Sequence, residues 1–261
     1  MGILSFLNRE RRIESSTSAI ILGIVLLKEA TMVLDEVLWL LQSEFKTKMV
    51  EHERGEEMIL LTIADYQIVI APICGNIPDD EVNEIARYNY YWPNAIEETA
   101  EHNGHIIISL INAGKNALKE NLLFSKVVCA ILKSSNSLGF YMGGRTLLLE
   151  KDFYLNNAIG ASEDRLPLYN WIYFGLRQLG TKQSIYTYGL SDFGKQEMEI
   201  INSEKTFEEL NALMYNIVHY VLVSNVHLKS GEMVGLSWNE KFTISKSKGK
   251  FVHGTTLKIS Y

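Results

Sequence analysis

The sequence predicts an α+β fold in two layered subdomains, the first ferredoxin-like on a split β-α-β plan, the second an antiparallel sheet with one long helix. Three observations predict it. Apolar residues switch between helical spacing and β-branched runs along the chain. Their order in the first half is strand, helix, strand, strand, helix, strand, as a ferredoxin-like layer requires. The segment Gly160 to Leu168 is the only polar, turn-rich stretch long enough to join two domains. Residues 18–160 are therefore the N-terminal subdomain and 161–261 the C-terminal one, with 1–17 a flexible arm.

Each element has a local reason. The apolar run from Ala19 to Leu27 reads as a buried strand. Arg9, Arg11 and Arg12 precede it, but a polar Glu14 to Ser18 spacer and Lys28-Glu29 at the would-be cleavage site argue against a signal peptide. Phe6 stands where myristoylation after Gly2 would need Ser or Thr. Met32, Val33, Val37, Leu38, Leu40, Leu41 and Phe45 recur at helical intervals. Strands over 57–63 and 67–73 follow, joined at Ala64-Asp65-Tyr66 as a hairpin. Pro78-Asp79-Asp80-Glu81 starts a helix with its acids at the positive end of the dipole, and Pro93 starts a second short one. His105 to Ile111 is almost continuously apolar, as a strand covered on both faces should be. A longer helix over 115–132, a strand over 137–141 and a helix over 146–156 complete this half.

Beyond the junction, 171–179 and 184–189 are aromatic and β-branched, hence strands. Thr206-Phe207-Glu208-Glu209 is a capping box opening a helix whose inner face is Phe207, Leu210, Leu213, Met214, Ile217, Val218, Val221 and Leu222. Short strands over 233–236, 241–245 and 256–260 finish the chain.

Composition narrows the function. The 261 residues hold 25 basic against 31 acidic side chains, a net charge of −6, so attraction to nucleic acid is not expected. With 47% hydrophobic residues there is material for a continuous core. The two cysteines, Cys74 and Cys129, form no C-x-x-C pair and read as buried thiols of a reducing, cytoplasmic compartment. No apolar run approaches the ~20 residues a membrane span needs.

Several groups could carry chemistry, and each has a structural reading beside the functional one. His102 and His105 have H-x-x-H spacing, but one closes a helix and the other opens a strand, so a shared metal face fails and a helix-terminal imidazole is favoured. Gly143-Gly144-Arg145, read between a strand and a helix, could hold an anion on its backbone N–H groups, against a plain glycine turn. Glu197 and Glu199 share a strand face and could divide acid and base roles, against a solvated, salt-bridged face. Phe193 precedes them, and the aromatic run Tyr88-Asn89-Tyr90-Tyr91-Trp92 has rings that could line a groove. There is no G-x-S-x-G elbow, no S-x-x-K with K-T-G, and no Walker spacing. No catalytic residue, metal site or cofactor is assigned.

Several segments together resemble the bacterial family designated DUF4261, a domain of unknown function. They are Leu166-Pro167-Leu168-Tyr169-Asn170-Trp171, Tyr186-Thr187-Tyr188-Gly189-Leu190, Asp192-Phe193-Gly194-Lys195, Glu197-Met198-Glu199-Ile200, Gly231-Glu232 and Leu257-Lys258-Ile259, with Trp92-Pro93-Asn94-Ala95, His102 and His105-Ile106-Ile107 upstream. The resemblance covers most of the chain after residue 18. It implies an α+β bacterial cytosolic protein and brings no activity or catalytic residue with it.

The leading expectation is a non-catalytic binding protein, of the kind of an immunity protein that neutralises a cognate toxin by direct contact. Its partner is then a protein, with no nucleic acid and no membrane involved, and the chain is a monomer or homodimer. The alternative is an enzyme acting on a small anionic or nucleotide-like substrate at the subdomain interface, using Arg145, His102, His105, Glu197 and Glu199. A structural or assembly subunit is a third class.

Overall fold

A computed structural model describes residues 19–29, 34–55, 58–78, 80–237 and 240–261. The arm expected over 1–17, and Met32 and Val33 of the first helix, lie outside the described residues. Two compact units part between Gly160 and Ala161, so the α+β class in two subdomains is borne out.

The first unit runs β1 (Ala19–Leu27), α1 (Leu34–Ser43), β2 (Met49–Arg54), β3 (Ile59–Ile63), β4 (Tyr66–Cys74), α2 (Glu81–Ala86), α3 (Ala95–Thr99), β5 (Gly104–Ala113), α4 (Ala117–Ser134), β6 (Ser137–Met142), β7 (Leu147–Glu150) and α5 (Lys151–Ala158). Its seven strands lie in the order β2-β3-β4-β5-β1-β6-β7, and every neighbouring pair is antiparallel. The central four, β6-β1-β5-β4, have the ferredoxin-like order. β5 and β6 both run antiparallel to β1 between them, and α4 connects them, which makes the split β-α-β unit. The expected plan is therefore present but built from different strands. The 59–63 strand is an addition at one edge rather than a member of the core four, and the strand over 137–142 takes the fourth place.

Two further differences have plain causes. β2 carries Glu51, His52, Glu53 and Arg54, all exposed, so it has no apolar period to read. Such charges suit an edge strand, where they discourage pairing with another chain. The helix expected from Thr146 begins only at Lys151. Leu147, Leu148 and Leu149 instead make β7, whose fully apolar run does not separate a short buried strand from a helix.

One face of this sheet is closed by α1, α4 and α5. Gly23 lets Phe140 and Phe124 meet over β1, since a Cβ there would lie 2.6 Å from the Phe140 ring. Glu120, buried in the first turn of α4, accepts hydrogen bonds from the Gly114, Lys115 and Asn116 N–H groups and so fixes the approach to the helix. Asn116 caps that helix by accepting from the Lys119 N–H.

The second unit runs β8 (Tyr173–Leu179), β9 (Lys182–Tyr188), β10 (Met198–Ser203), α6 (Phe207–Val223), β11 (Met233–Ser237), β12 (Glu240–Lys248) and β13 (Thr255–Ile259). Its six strands lie in the order β11-β12-β13-β10-β9-β8. The sheet is antiparallel except at β10–β13, which are parallel because α6 and the β11–β12 pair intervene between them. The capping box is formed: the Thr206 hydroxyl accepts from the Glu209 N–H, and the Glu209 carboxylate accepts from the Thr206 N–H. The expected inner face of α6 is buried apart from Phe207, which is only half-buried.

Candidate functional site

The titratable candidates are all engaged within the fold. His102 is buried at the turn after α3. Its Nδ1–H donates to the Thr99 carbonyl, and its Nε2 accepts from the Ile77 N–H at 3.1 Å, so both ring nitrogens and the tautomer are fixed. His105 is buried on β5 and donates from Nδ1 to the Gly75 carbonyl at 2.9 Å. Burial lowers its pKa, against the Gly75 bond, and His102 adds to the lowering, so the neutral ring is favoured.

Gly143, Gly144 and Arg145 form a 3₁₀ turn between β6 and β7, with Thr146 at φ 56° closing it. No helix starts there, so the expected dipole for an anion is missing at this turn. A Cβ on Gly143 would lie 2.5 Å from the Tyr141 hydroxyl, which is why the position is glycine. Arg145 points inward, is 3% exposed, and donates from Nη1 to Asn121 Oδ1 at 2.8 Å.

Glu197 and Glu199 are buried rather than solvated, and each closes a different loop. Glu197 accepts from the Thr187 hydroxyl at 2.7 Å and from the Gly189 and Ser191 N–H groups at 2.9 and 3.1 Å. Burial raises its pKa despite those donors. Glu199, 0% exposed, accepts from the Lys250 and Phe251 N–H groups and the Thr256 hydroxyl, and pairs with Lys258 at 2.7 Å. Burial pushes its pKa up, but Lys258 and the loop donors outweigh it and hold the carboxylate low. Both carboxylates therefore act as internal loop clamps.

The aromatic candidates divide. Trp92 is buried in the core formed with Leu26, Val82, Ala86, Ala95, Tyr141 and Leu148, and its indole N–H donates to Glu98 at 2.8 Å. Tyr91 is half-buried with its ring 5.2 Å from that of Phe153. Phe193 is buried and stacks on Trp171 at 5.7 Å. Tyr88 and Tyr90 are the exposed members of the run. Of the thiols, Cys129 is buried, its pKa pushed up to about 12 chiefly by desolvation, whereas Cys74 is exposed. Cys74 lies at the end of β4 opposite Gly104, which has no side chain to shield it.

Sequence reasoning missed one apolar surface. Among the described residues, helices α2 and α3 pack over one end of the second face of the seven-stranded sheet, where Leu26, Tyr141 and Leu148 lie. Beyond them the strand register sets side by side a row of Leu60, Val69, Ser109 and Leu22, and a second row of Ala71, Ile107 and Ile24. Gln67 and Ile111 begin a third row. Gln67 is exposed and Leu22 is 47% exposed, the others are half-buried, and Ile24 packs against the α2–α3 cluster. A solvated antiparallel face should alternate to polar groups. Here it is aliphatic apart from Ser109 and Gln67. The signal in the sequence is that Ile107 and Ile111 leave this face of β5 polar only at His105 and Ser109, which reads as burial on both sides.

The fold and these groups define an α+β protein with a ferredoxin-like unit, a mixed-sheet unit and acid–base residues held inside both. Residues 186–260 match the family model described as Domain of unknown function (DUF4261), which bears out the resemblance over that part of the second unit, from within β9 to the end of β13. No curated protein and no solved structure matches the chain. Among the described residues, no helix is long and apolar enough to cross a membrane.

Proposed function

We propose that the chain is a non-catalytic binding protein whose partner is another protein, and that it serves as a bacterial immunity protein holding a cognate toxin inactive by direct contact. The observation that carries this reading is the aliphatic face of β4, β5 and β1 that α2 and α3 leave uncovered among the described residues of the first unit. An exposed contiguous apolar surface marks an interaction site. The candidate acid and base groups support it from the other side. His102, Arg145, Glu197 and Glu199 are engaged in bonds that hold turns and loops, and a general acid or base must reach the substrate proton it moves. The net charge of −6 suits a basic partner steered by complementary charge. Two cysteines without a disulfide between them fit a cytoplasmic setting.

Co-expression with the product of the neighbouring reading frame tests the proposal. A stable complex and protection of the host from that product are expected. Absence of both a complex and protection contradicts the reading.

A further inference from the structure

Lys195 lies at the approach to β10 and is 7% exposed. Its ammonium donates to Asn225 Oδ1 at 2.7 Å and to His227 Nδ1 at 3.4 Å. Neither acceptor is a carboxylate. Among the described residues no carboxylate pairs with Lys195, although lysine is almost never buried without one. An ammonium carries three N–H donors, so one remains beyond the two taken by Asn225 and His227. His227, accepting at Nδ1, carries its own hydrogen on Nε2. Lys195 and His227, though not Asn225, line a cavity of about 40 Å3 whose other walls are Gln196, Met198, Val221, Val226, Leu228 and Leu257. Room for one water needs about 10–15 Å3 on this measure, so the space suits a group of about three or four heavy atoms.

We propose that Lys195 and His227, with Asn225 Oδ1 orienting the ammonium, form a binding site for a small carboxylate, of formate or acetate size, beside the C-terminal end of α6. The chemistry of the lining selects the ligand. Its polar groups are Lys195, His227 and Gln196, which can offer the third ammonium N–H, the imidazole Nε2–H and a side-chain amide, and the rest of the lining is apolar. A cation is excluded by Lys195 itself, and a neutral ligand would leave the buried charge uncompensated. The aliphatic walls accept a one- or two-carbon stem, while the size of the cavity disfavours a tetrahedral phosphate. Desolvation lowers the Lys195 pKa, in keeping with a charge that the protein alone does not balance. Asn225 holds its acceptor in place from a φ of 50°, a left-handed conformation that asparagine tolerates better than other non-glycine residues. This site is independent of the open sheet face and stands or falls without it.

The test is thermal unfolding of the full chain in sodium acetate, sodium phosphate or sodium chloride at matched ionic strength, for wild type, Lys195→Met and His227→Ala. Acetate at saturation is expected to raise the wild-type midpoint by about 2 °C or more over chloride. Lys195→Met loses that increment and His227→Ala, at an exposed position, reduces it. Should Lys195→Met fail to fold, the His227→Ala comparison and acetate line broadening in the NMR spectrum of the wild type decide the matter. An acetate increment unchanged in both variants, no increment and no broadening in the wild type, or a Lys195-dependent increment larger for phosphate than for acetate overturns the proposal.

Discussion

The two buried glutamates of β10 show how alike residues two positions apart acquire opposite roles. Glu199 meets Lys258 and three donors from the 250–256 loop, so it is stable as a carboxylate. Its pKa is lowered, so the stability it contributes is present above the ordinary carboxylate value and is lost as pH falls through its lower folded value. Glu197 has neutral donors only and a raised pKa, so its contribution is fully present below the ordinary value and declines as pH rises through the higher folded one. Glu199→Gln leaves Lys258 facing a neutral group in a buried place and is expected to cost about 3 kcal/mol in urea unfolding. Glu197→Gln, which mimics the protonated acid, should cost under about 1 kcal/mol. The Glu199→Gln variant should also show a flatter loss of stability in acid than wild type. The sequence displayed the spacing of this pair but not its donors, because Lys250 and Thr256 lie some fifty residues onward and reach Glu199 only through the parallel β10–β13 contact. His102 was legible as a helix-end imidazole. The Lys195 cluster was not, since its partners come from the turn after α6.

At the scale of elements, local signals were read well where they repeat or cap. The capping box of α6 is formed as its four residues demand, and Thr206→Ala is expected to lower stability by about 1 kcal/mol, measured as a shift in denaturation midpoint without a change in slope. The β3–β4 hairpin turns where Ala64 and Asp65 predict, with Ala64 at φ 52°. Elements lacking a clear period were misread. β2 is an exposed charged edge, and β7 is a short leucine run whose neighbours decide its state. Once β7 is a strand, Gly143 to Arg145 becomes the turn of a tight pair rather than a helix entrance, and the anion reading at that turn loses its basis.

For the whole molecule, class and division into two α+β units were legible because apolar patterning reports which faces are buried. Strand order was not, since periodicity carries no information on which strands pair. The ferredoxin-like order therefore emerged with β5 beside β1 and β4, and with β3 outside the central four. That order also leaves Leu22, Val69 and Ile107 side by side on a face that α2 and α3 do not reach. The functional account rests on this face. Its most direct test is capture of the co-expressed neighbouring protein by wild type and by a Leu22→Asp/Val69→Asp variant with an unchanged unfolding midpoint. The account predicts that wild type retains the partner and the variant loses it by 10-fold or more, as about 1.4 kcal/mol or more of lost contact would give. Equal capture by both proteins would contradict it.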